Sequence, residues 1–335
     1  MKIGLASFAH VHAAGYAALL NDRPDVELLA ADPEADPGDP TRGAGLAGEL
    51  GVRLVSSYED LLAENLDGIV VCSENSRHRP IVELAAQAGV HVLCEKPIAT
   101  RLPDARAMIE ACGTAGVALM IAYPVRFSPH FQRLKQAVAS GQIGKVLACT
   151  GTNNGQIPID ARAWFVDPEL AGGGSLMDHA VHVADLLLDL LPAAPESVYA
   201  QTNAILHSDR VSVETGGLVL LNYPDGTVAT IDCSWSRPPA YPTWGGVTLE
   251  VAGEEGTVSS DIFGEAVRGW GRDGELWRSF GVDLDALLLE QFLQVVRGER
   301  APEPDGEIGY TTLQIVTAAY ESVRTGQPVP MAAVS

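Results

Sequence analysis

The chain has 335 residues, nearly half of them apolar, and a formal net charge of −21. Its length allows two domains with separate cores, and its composition excludes a disordered chain. The acidity, with no basic stripe to offset it, argues against nucleic acid and anionic membranes as partners, and no run of about 18 apolar residues is present to span a bilayer.

In chain order, Lys2–Ala6 reads as a short buried strand and Ala13–Asn21 as a helix. Val26–Ala31 is a second apolar run, ending in Asp32. The segment 33–45 is rich in Pro, Gly and Asp and reads as a surface loop. Tyr58–Glu64 reads as a helix capped by Ser56 or Ser57. Gly68–Cys72 is almost wholly apolar, as a strand buried on both faces should be. A helix over Pro80–Ala88 is stopped by Gly89. A strand over Val90–Cys94, a helix over Pro103–Ala115 and a strand over Val117–Ala122 complete the half. This alternation implies a doubly wound parallel sheet with helices on both faces.

A helix over Pro129–Ser140 bridges to a different texture. Strands are expected at Val146–Asn153, Ser197–Ile205, Val213–Leu221, Val228–Ser236, Val247–Ala252 and Thr257–Asp261. Pro224-Asp225-Gly226 and Gly253-Glu254-Glu255-Gly256 supply turns between them. Helices are expected at Ser175–Leu191, Asp285–Arg297 and Ile308–Thr325. The second half therefore reads as an α+β domain with a large open, mostly antiparallel sheet. The expected domains are 1–122 and 123–335.

The N-terminus lacks the apolar stretch and cleavage site of a signal peptide. Five cysteines, at 72, 94, 112, 149 and 233, are odd in number and unpaired in spacing, which argues against a disulfide framework or a zinc ribbon. A cytoplasmic location is expected.

In a doubly wound sheet the first turn normally carries G-x-G-x-x-G, whose glycines let the backbone approach a pyrophosphate. Here the corresponding run is Ser7-Phe8-Ala9-His10-Val11-His12, which lacks them. Asp32, at the end of the second strand, can accept the ribose hydroxyls of an adenosine. A carboxylate there repels a 2′-phosphate, and no arginine follows closely in sequence, so NAD is expected over NADP. His10 and His12 stand two apart, as paired metal ligands can, but no third ligand lies near in sequence and no metal is expected.

Several motifs, in order over nearly the whole length, resemble the Gfo/Idh/MocA family, the glucose–fructose oxidoreductase and inositol dehydrogenase group. Ile69 to His78 is similar to an apolar strand followed by T-P-N-x-x-H. His91-Val92-Leu93-Cys94-Glu95-Lys96-Pro97 matches the family's E-K-P signature. Tyr123 to Pro129 is similar to F-N-x-R-F-x-P. Trp164, Asp167-Pro168, Gly172-Gly173-Gly174, Asp178 and His182 follow W-x-x-D-P and G-G-G-x-L-x-D-x-G-x-H. The segment from Ala319 to Val329 also fits. Glu74, Pro124 and Phe165 depart from the pattern, where the family has proline, asparagine and often arginine.

The resemblance implies a Rossmann domain followed by an α/β domain, and NAD(P)-linked oxidation of a hydroxyl on a sugar, polyol or related small molecule. It implies Lys96, Asp178 and His182 as catalytic residues, with His182 the base, Lys96 the group that stabilises the alkoxide or relays the proton, and Asp178 the group that orients the substrate and tunes both. It implies cofactor contacts from Ser7, Phe8, Ala9, His10, Val11, Asp32, Ser73, Asn75, His78, Glu95, Lys96 and Trp164. Arg126, Asn153 and His179 are candidates for substrate contact, and Asp185 for holding the His182 imidazole. Assembly as a homodimer or homotetramer through the sheet of the second domain is also implied. Two other readings are open from sequence. One is a lyase or glycosidase that uses NAD without net turnover. The other is a ligand sensor or scaffold that has lost the cofactor.

Overall fold

A computed structural model describes residues 1–272 and 274–333. The chain forms two compact units. The first comprises Met1–Tyr123, Ile159–Gly172 and Asp285–Leu313; the second comprises Pro124–Pro158, Gly173–Leu284 and the chain from Gln314 on. Two later segments thus belong to the same unit as the first 123 residues. No helix among the described residues is long and apolar enough to cross a membrane.

The first unit is built on six strands: β1 (Lys2–Ala6), β2 (Glu27–Ala31), β3 (Arg53–Val55), β4 (Gly68–Val71), β5 (His91–Cys94) and β6 (Leu119–Ile121). They pair in the order β3-β2-β1-β4-β5-β6, and every pair is parallel. The strand order reverses at β1. Register aligns Ala6 with Ala31 and Val71, and Val71 with Cys94. The residues that follow these strand ends therefore share one edge: Ser7, Asp32, Cys72-Ser73 and Glu95-Lys96. Ligands of doubly wound sheets bind at that edge, at the point of reversal.

Most helices of this unit lie where periodicity and punctuation place them, including Ala13–Asn21, His78–Gln87 and Leu102–Ala115. The Ser57 hydroxyl accepts from the Asp60 amide as the cap of the Tyr58–Leu62 helix. Two elements went unforeseen: the helix Gly43–Leu50 and the three-residue β3. A helix of sequence GAGLAGEL has weak intrinsic propensity and depends on burying Leu46 and Ala47. The irregular loop is thus shorter than expected, ending at Arg42. The helix Leu284–Val296 was assigned to the second domain, but most of it lies in the first unit. Phe292 and Val296 pack directly over Gly68, where a β-carbon would collide with both.

The second unit holds β7 (Val146–Gly155), β8 (Ser197–Asn203), β9 (Gly216–Asn222), β10 (Val228–Ser234), β11 (Gly245–Gly253), β12 (Thr257–Asp261), the hairpin β13 (Ala266–Gly271) and β14 (Gly274–Ser279), and β15 (Val329–Pro330). The main sheet runs β12-β11-β7-β10-β9-β8-β15. All its pairs are antiparallel except β7 with β10. Alternation is clear along its strands. Cys149, Val219, Ile231 and Leu249 are buried, while their neighbours Thr150, Leu218, Asp232 and Glu250 are exposed. The β13–β14 hairpin forms its own two-stranded sheet and was not anticipated.

Candidate active site and cofactor loop

At the tip of β1, Ser7 has φ +71°. This is the left-handed turn that the first glycine of the phosphate loop normally makes, taken here by a residue with a β-carbon at a cost in strain. Local hydrogen bonds hold it. The Ser7 amide donates to Ala31 O at 2.7 Å, and the Ala9 amide donates to Ser7 Oγ at 3.1 Å. Phe8 is fully buried, whereas Val11 is exposed. Trp164 Nε1 and Arg162 Nε both donate to Ala9 O at 3.0 Å. Trp164 stacks on Phe165 at 3.9 Å, and both cluster with Ala9 and Ala171. Trp164 is therefore part of the loop's support, and Arg162, which the sequence reading overlooked, is its partner.

Asp32 stands at the end of β2 as expected, but its surroundings correct one inference. An arginine does reach it: Arg42, ten residues on. Arg42 Nη2 and Nε lie 2.7 and 3.1 Å from the two Asp32 oxygens. Ser7 Oγ donates to the same carboxylate at 2.8 Å and the Gly43 amide at 3.0 Å. A further guanidinium contact runs from Arg42 Nη1 to Glu74 Oε1 at 3.1 Å. Glu74, a departure from the family pattern, is thereby explained as a partner of Arg42. Sequence distance hid Arg42 because the loop 33–42 folds back over the strand ends.

After β4, Ser73 and Asn75 are buried. Asn75 Nδ2 donates to Ala171 O at 2.9 Å, while its buried Oδ1 has no hydrogen-bond partner among the described residues. His78 is fully buried, with Nδ1 3.1 Å from the Pro97 and Ile98 oxygens and Nε2 3.3 Å from Ser73 O. It ties the loop after β4 to the loop after β5, and burial pushes its pKa below the ordinary histidine value.

Glu95 and Lys96 are both buried, Lys96 to 4% exposure. Glu95 Oε1 lies 3.0 Å from His12 Nδ1 and 3.4 Å from His10 Nδ1, and Oε2 accepts from the Lys96 amide at 3.0 Å. Burial alone would raise the Glu95 pKa. The two imidazoles and the Lys96 ammonium outweigh it and hold the carboxyl well below the usual range. His12, against burial, is raised by the same carboxylate. The third group missing from the sequence around His10 and His12 is thus Glu95, and the polar atoms of all three lie within 4.8 Å of one another. The His12–Glu95 distance is that of a hydrogen bond, and His10 Nδ1 accepts from the His12 backbone amide at 3.3 Å. Cys72 and Cys94 are buried nearby with thiol pKa values pushed well up by burial, as inert packing residues.

In the second unit a π-helical turn, Leu176–Ala180, leads into the helix Val181–Leu190. The glycines before it serve close approach. A β-carbon on Gly173 would fall on the Tyr320 hydroxyl, and one on Gly174 on the Glu214 carbonyl oxygen. Glu214 Oε1 accepts from the Gly174 and Leu176 amides at 2.9 and 3.0 Å and from Tyr320 Oη at 2.8 Å. It anchors the start of the site helix, a role the sequence did not signal.

Asp178 lies on the π turn and accepts from Trp235 Nε1 at 3.2 Å. His179 Nε2 is 3.2 Å from Asp178 Oδ2, and its Nδ1 is 3.0 Å from Asn153 O. His179 is 5% exposed and His182 7%, so neither is a solvent-facing residue. Asn153 is fully buried. Its Nδ2 donates to Gly246 O at 3.1 Å, and its Oδ1 has no partner among the described residues. Arg126 sits in an internal network: Nη2 is 2.6 Å from Asp185 Oδ1 and Nη1 is 3.1 Å from Asp189 Oδ1. Asp185, expected beside the His182 imidazole, receives this guanidinium through both oxygens.

The strand-end edge fits a dinucleotide. It has a left-handed turn after β1, a carboxylate after β2, and a buried acceptor on Asn75 that has no donor among the described residues.

Residues 3–123 match the model of an oxidoreductase family with an NAD-binding Rossmann fold, and residues 131–259 match that of the GFO/IDH/MocA C-terminal domain. The chain is 31% identical over 300 residues to D-xylose 1-dehydrogenase (NADP(+)) 2 of Haloferax volcanii, covering 88% of this chain and 90% of that one. It is 27% identical over 307 residues to inositol 2-dehydrogenase of Rhizobium meliloti, covering 88% and 89%. Among solved structures, GenD2 from gentamicin A biosynthesis in complex with NAD superposes with a TM-score of 0.88 at 24% identity, covering 98% of this chain and 96% of that one. With its signature motifs seated at the strand-end edge and on the site helix, the chain belongs to the GFO/IDH/MocA family of NAD-binding oxidoreductases.

Proposed function

We propose that this oxidoreductase moves a hydride between the carbinol carbon of a sugar or cyclic polyol and a nicotinamide, with Lys96, Asp178 and His182 handling the charge and the proton. The observation that carries the assignment is the burial of Lys96, at 4% exposure, beside a buried Glu95 whose charge is compensated. An ordinary lysine after a strand extends into water. A buried ammonium at the carboxyl edge of the sheet is placed to stabilise an alkoxide as the hydroxyl proton leaves. His182 takes that proton, and Asp178, linked to His179, orients the substrate.

When bound, the dinucleotide supplies the hydride acceptor. Ser7–Val11 and Asp32 hold its adenosine and phosphates, with NAD the expected partner of the Asp32 carboxylate. Ser73, Asn75, Glu95 and Trp164 complete the pocket, and His78 positions its loops. The buried Asn153 Oδ1 suits a donor on the substrate, such as a hydroxyl.

The exposed sheet face carries Leu218, 53% exposed, and Leu147, 46% exposed. We assign this face to homo-oligomerisation, as a dimer or tetramer. Five free, buried cysteines suit a reducing cytoplasm.

The test is steady-state oxidation of a panel of sugars and cyclic polyols with NAD and NADP, read as reduced nicotinamide. Lys96→Ala and His182→Ala should each lower kcat by about a hundredfold or more while leaving NADH binding within about threefold. Near-normal kcat in Lys96→Ala would remove the assignment.

A further inference from the structure

Building on the cofactor reading above, we propose that Arg42 is a cofactor-specificity residue: it opens the adenosine-ribose end of the site to a 2′-phosphate, so that the chain takes NADP as well as NAD.

A lone carboxylate after β2 excludes the 2′-phosphate by repulsion. Here the carboxylate is not alone. Both Asp32 oxygens are engaged by the Arg42 guanidinium, and Ser7 and Gly43 add two further donors. Arg42 also bonds Glu74, and Arg77 lies 3.3 Å from the other Glu74 oxygen. Arg162 Nη1 and Nη2 donate to the Thr41 hydroxyl and carbonyl, beside Arg42, and the Thr41 hydroxyl donates to Asp39. Three guanidiniums therefore stand among the carboxylates of Asp32, Asp39 and Glu74, with Glu34 held nearby by the Tyr58 hydroxyl. Asp32 is compensated by Arg42, where the sequence alone showed an uncompensated Asp32.

Geometry says how the exchange works. The planar fork of Arg42 presents its Nε–Nη2 edge to Asp32 and its Nη1 to Glu74. A phosphate on the ribose 2′ position competes for the Nη1 side, because a dianion with three acceptor oxygens suits a guanidinium better than one carboxylate oxygen does. Glu74, on losing Arg42, keeps Arg77. With NAD bound, Glu74 keeps Arg42. Glu74 thus acts as a parking place for the guanidinium.

The experiment is a fluorescence titration of the full chain with NADH and separately with NADPH, for wild type, Arg42→Ala, Arg42→Lys and Glu74→Gln. Wild type should bind both nucleotides, with dissociation constants within about tenfold of each other. Arg42→Ala should weaken NADPH by about tenfold or more and NADH by less than about threefold, as loss of a charged hydrogen-bond donor predicts. Arg42→Lys should fall between them for NADPH, since it keeps the charge without the fork, and it serves if the alanine variant fails to fold. Glu74→Gln should tighten NADPH and leave NADH unchanged. Equal weakening of both nucleotides in Arg42→Ala would overturn the proposal and make Arg42 a loop support. Wild-type binding of NADH with NADPH more than about a hundredfold weaker would overturn it too. Binding of neither nucleotide by wild type would remove the cofactor reading itself.

Discussion

His179 Nε2 lies 3.2 Å from Asp178 Oδ2 while its Nδ1 lies 3.0 Å from the Asn153 backbone oxygen. A carbonyl oxygen only accepts, so Nδ1 carries a hydrogen. Nε2 then faces Asp178, in a position where the sequence pattern led one to expect only the Asp178–His182 relationship. His179→Ala should lower kcat/KM by about tenfold to a hundredfold through loss of Asp178 orientation, with NADH affinity unchanged. Steady-state kinetics with a parallel NADH titration check this.

Glu95 contributes to stability in a defined pH window. Its folded pKa lies below the usual 4.5, so its contribution is present above about pH 4.5 and is lost as pH falls through the folded value. The folded pKa of His12 lies above the usual 6.5, so its contribution is full below 6.5 and is lost as pH rises through the folded value. The pair is strongest between those limits. Glu95→Gln should cost about 2 kcal/mol near pH 6, less than for a fully buried pair because the His12 side chain is 30% exposed. The cost should shrink toward pH 9. Urea denaturation at both pH values measures it.

Gly174→Ala should destabilise the second unit by about 2 kcal/mol or more and depress turnover, because its methyl would occupy the place of the Glu214 carbonyl oxygen. Gly89→Ala is the control. It has positive φ but open space around it, and should cost about 1 kcal/mol with full activity. Thermal melts and kinetics of the two variants separate close packing from backbone strain.

Leu218→Asp should weaken self-association without changing the fold, since residue 218 lies on the open face of β9, paired with Asp232 and Gln201. Sedimentation at micromolar concentration should show a smaller species than wild type. An unchanged mass would remove this face as the interface.

Local pattern was enough wherever the determining interactions are local. β1 and the helix Ala13–Asn21 lie where their apolar runs and flanking polar residues place them. The turns at Asp225-Gly226 and Gly253–Gly256 join antiparallel partners as their composition implies. The E-K-P, triple-glycine and D-x-x-x-H motifs located Lys96, Asp178 and His182 before any coordinates. Where propensity is weak the pattern failed. The glycine-rich helix Gly43–Leu50 and the short β3 exist through packing that no window of sequence displays.

By itself the sequence determined the doubly wound half, the mixed-sheet half, the family and the principal catalytic candidates, because hydrophobic period and turn chemistry act over a few residues. Only the tertiary structure decided which charges meet. Arg42 reaches Asp32 and Glu74, Glu95 joins His10 and His12, Arg126 joins Asp185, and His179 turns to Asp178. These partners lie up to 85 positions apart, as for His10 and Glu95, and an ion pair depends on distance through space, which chain order does not encode.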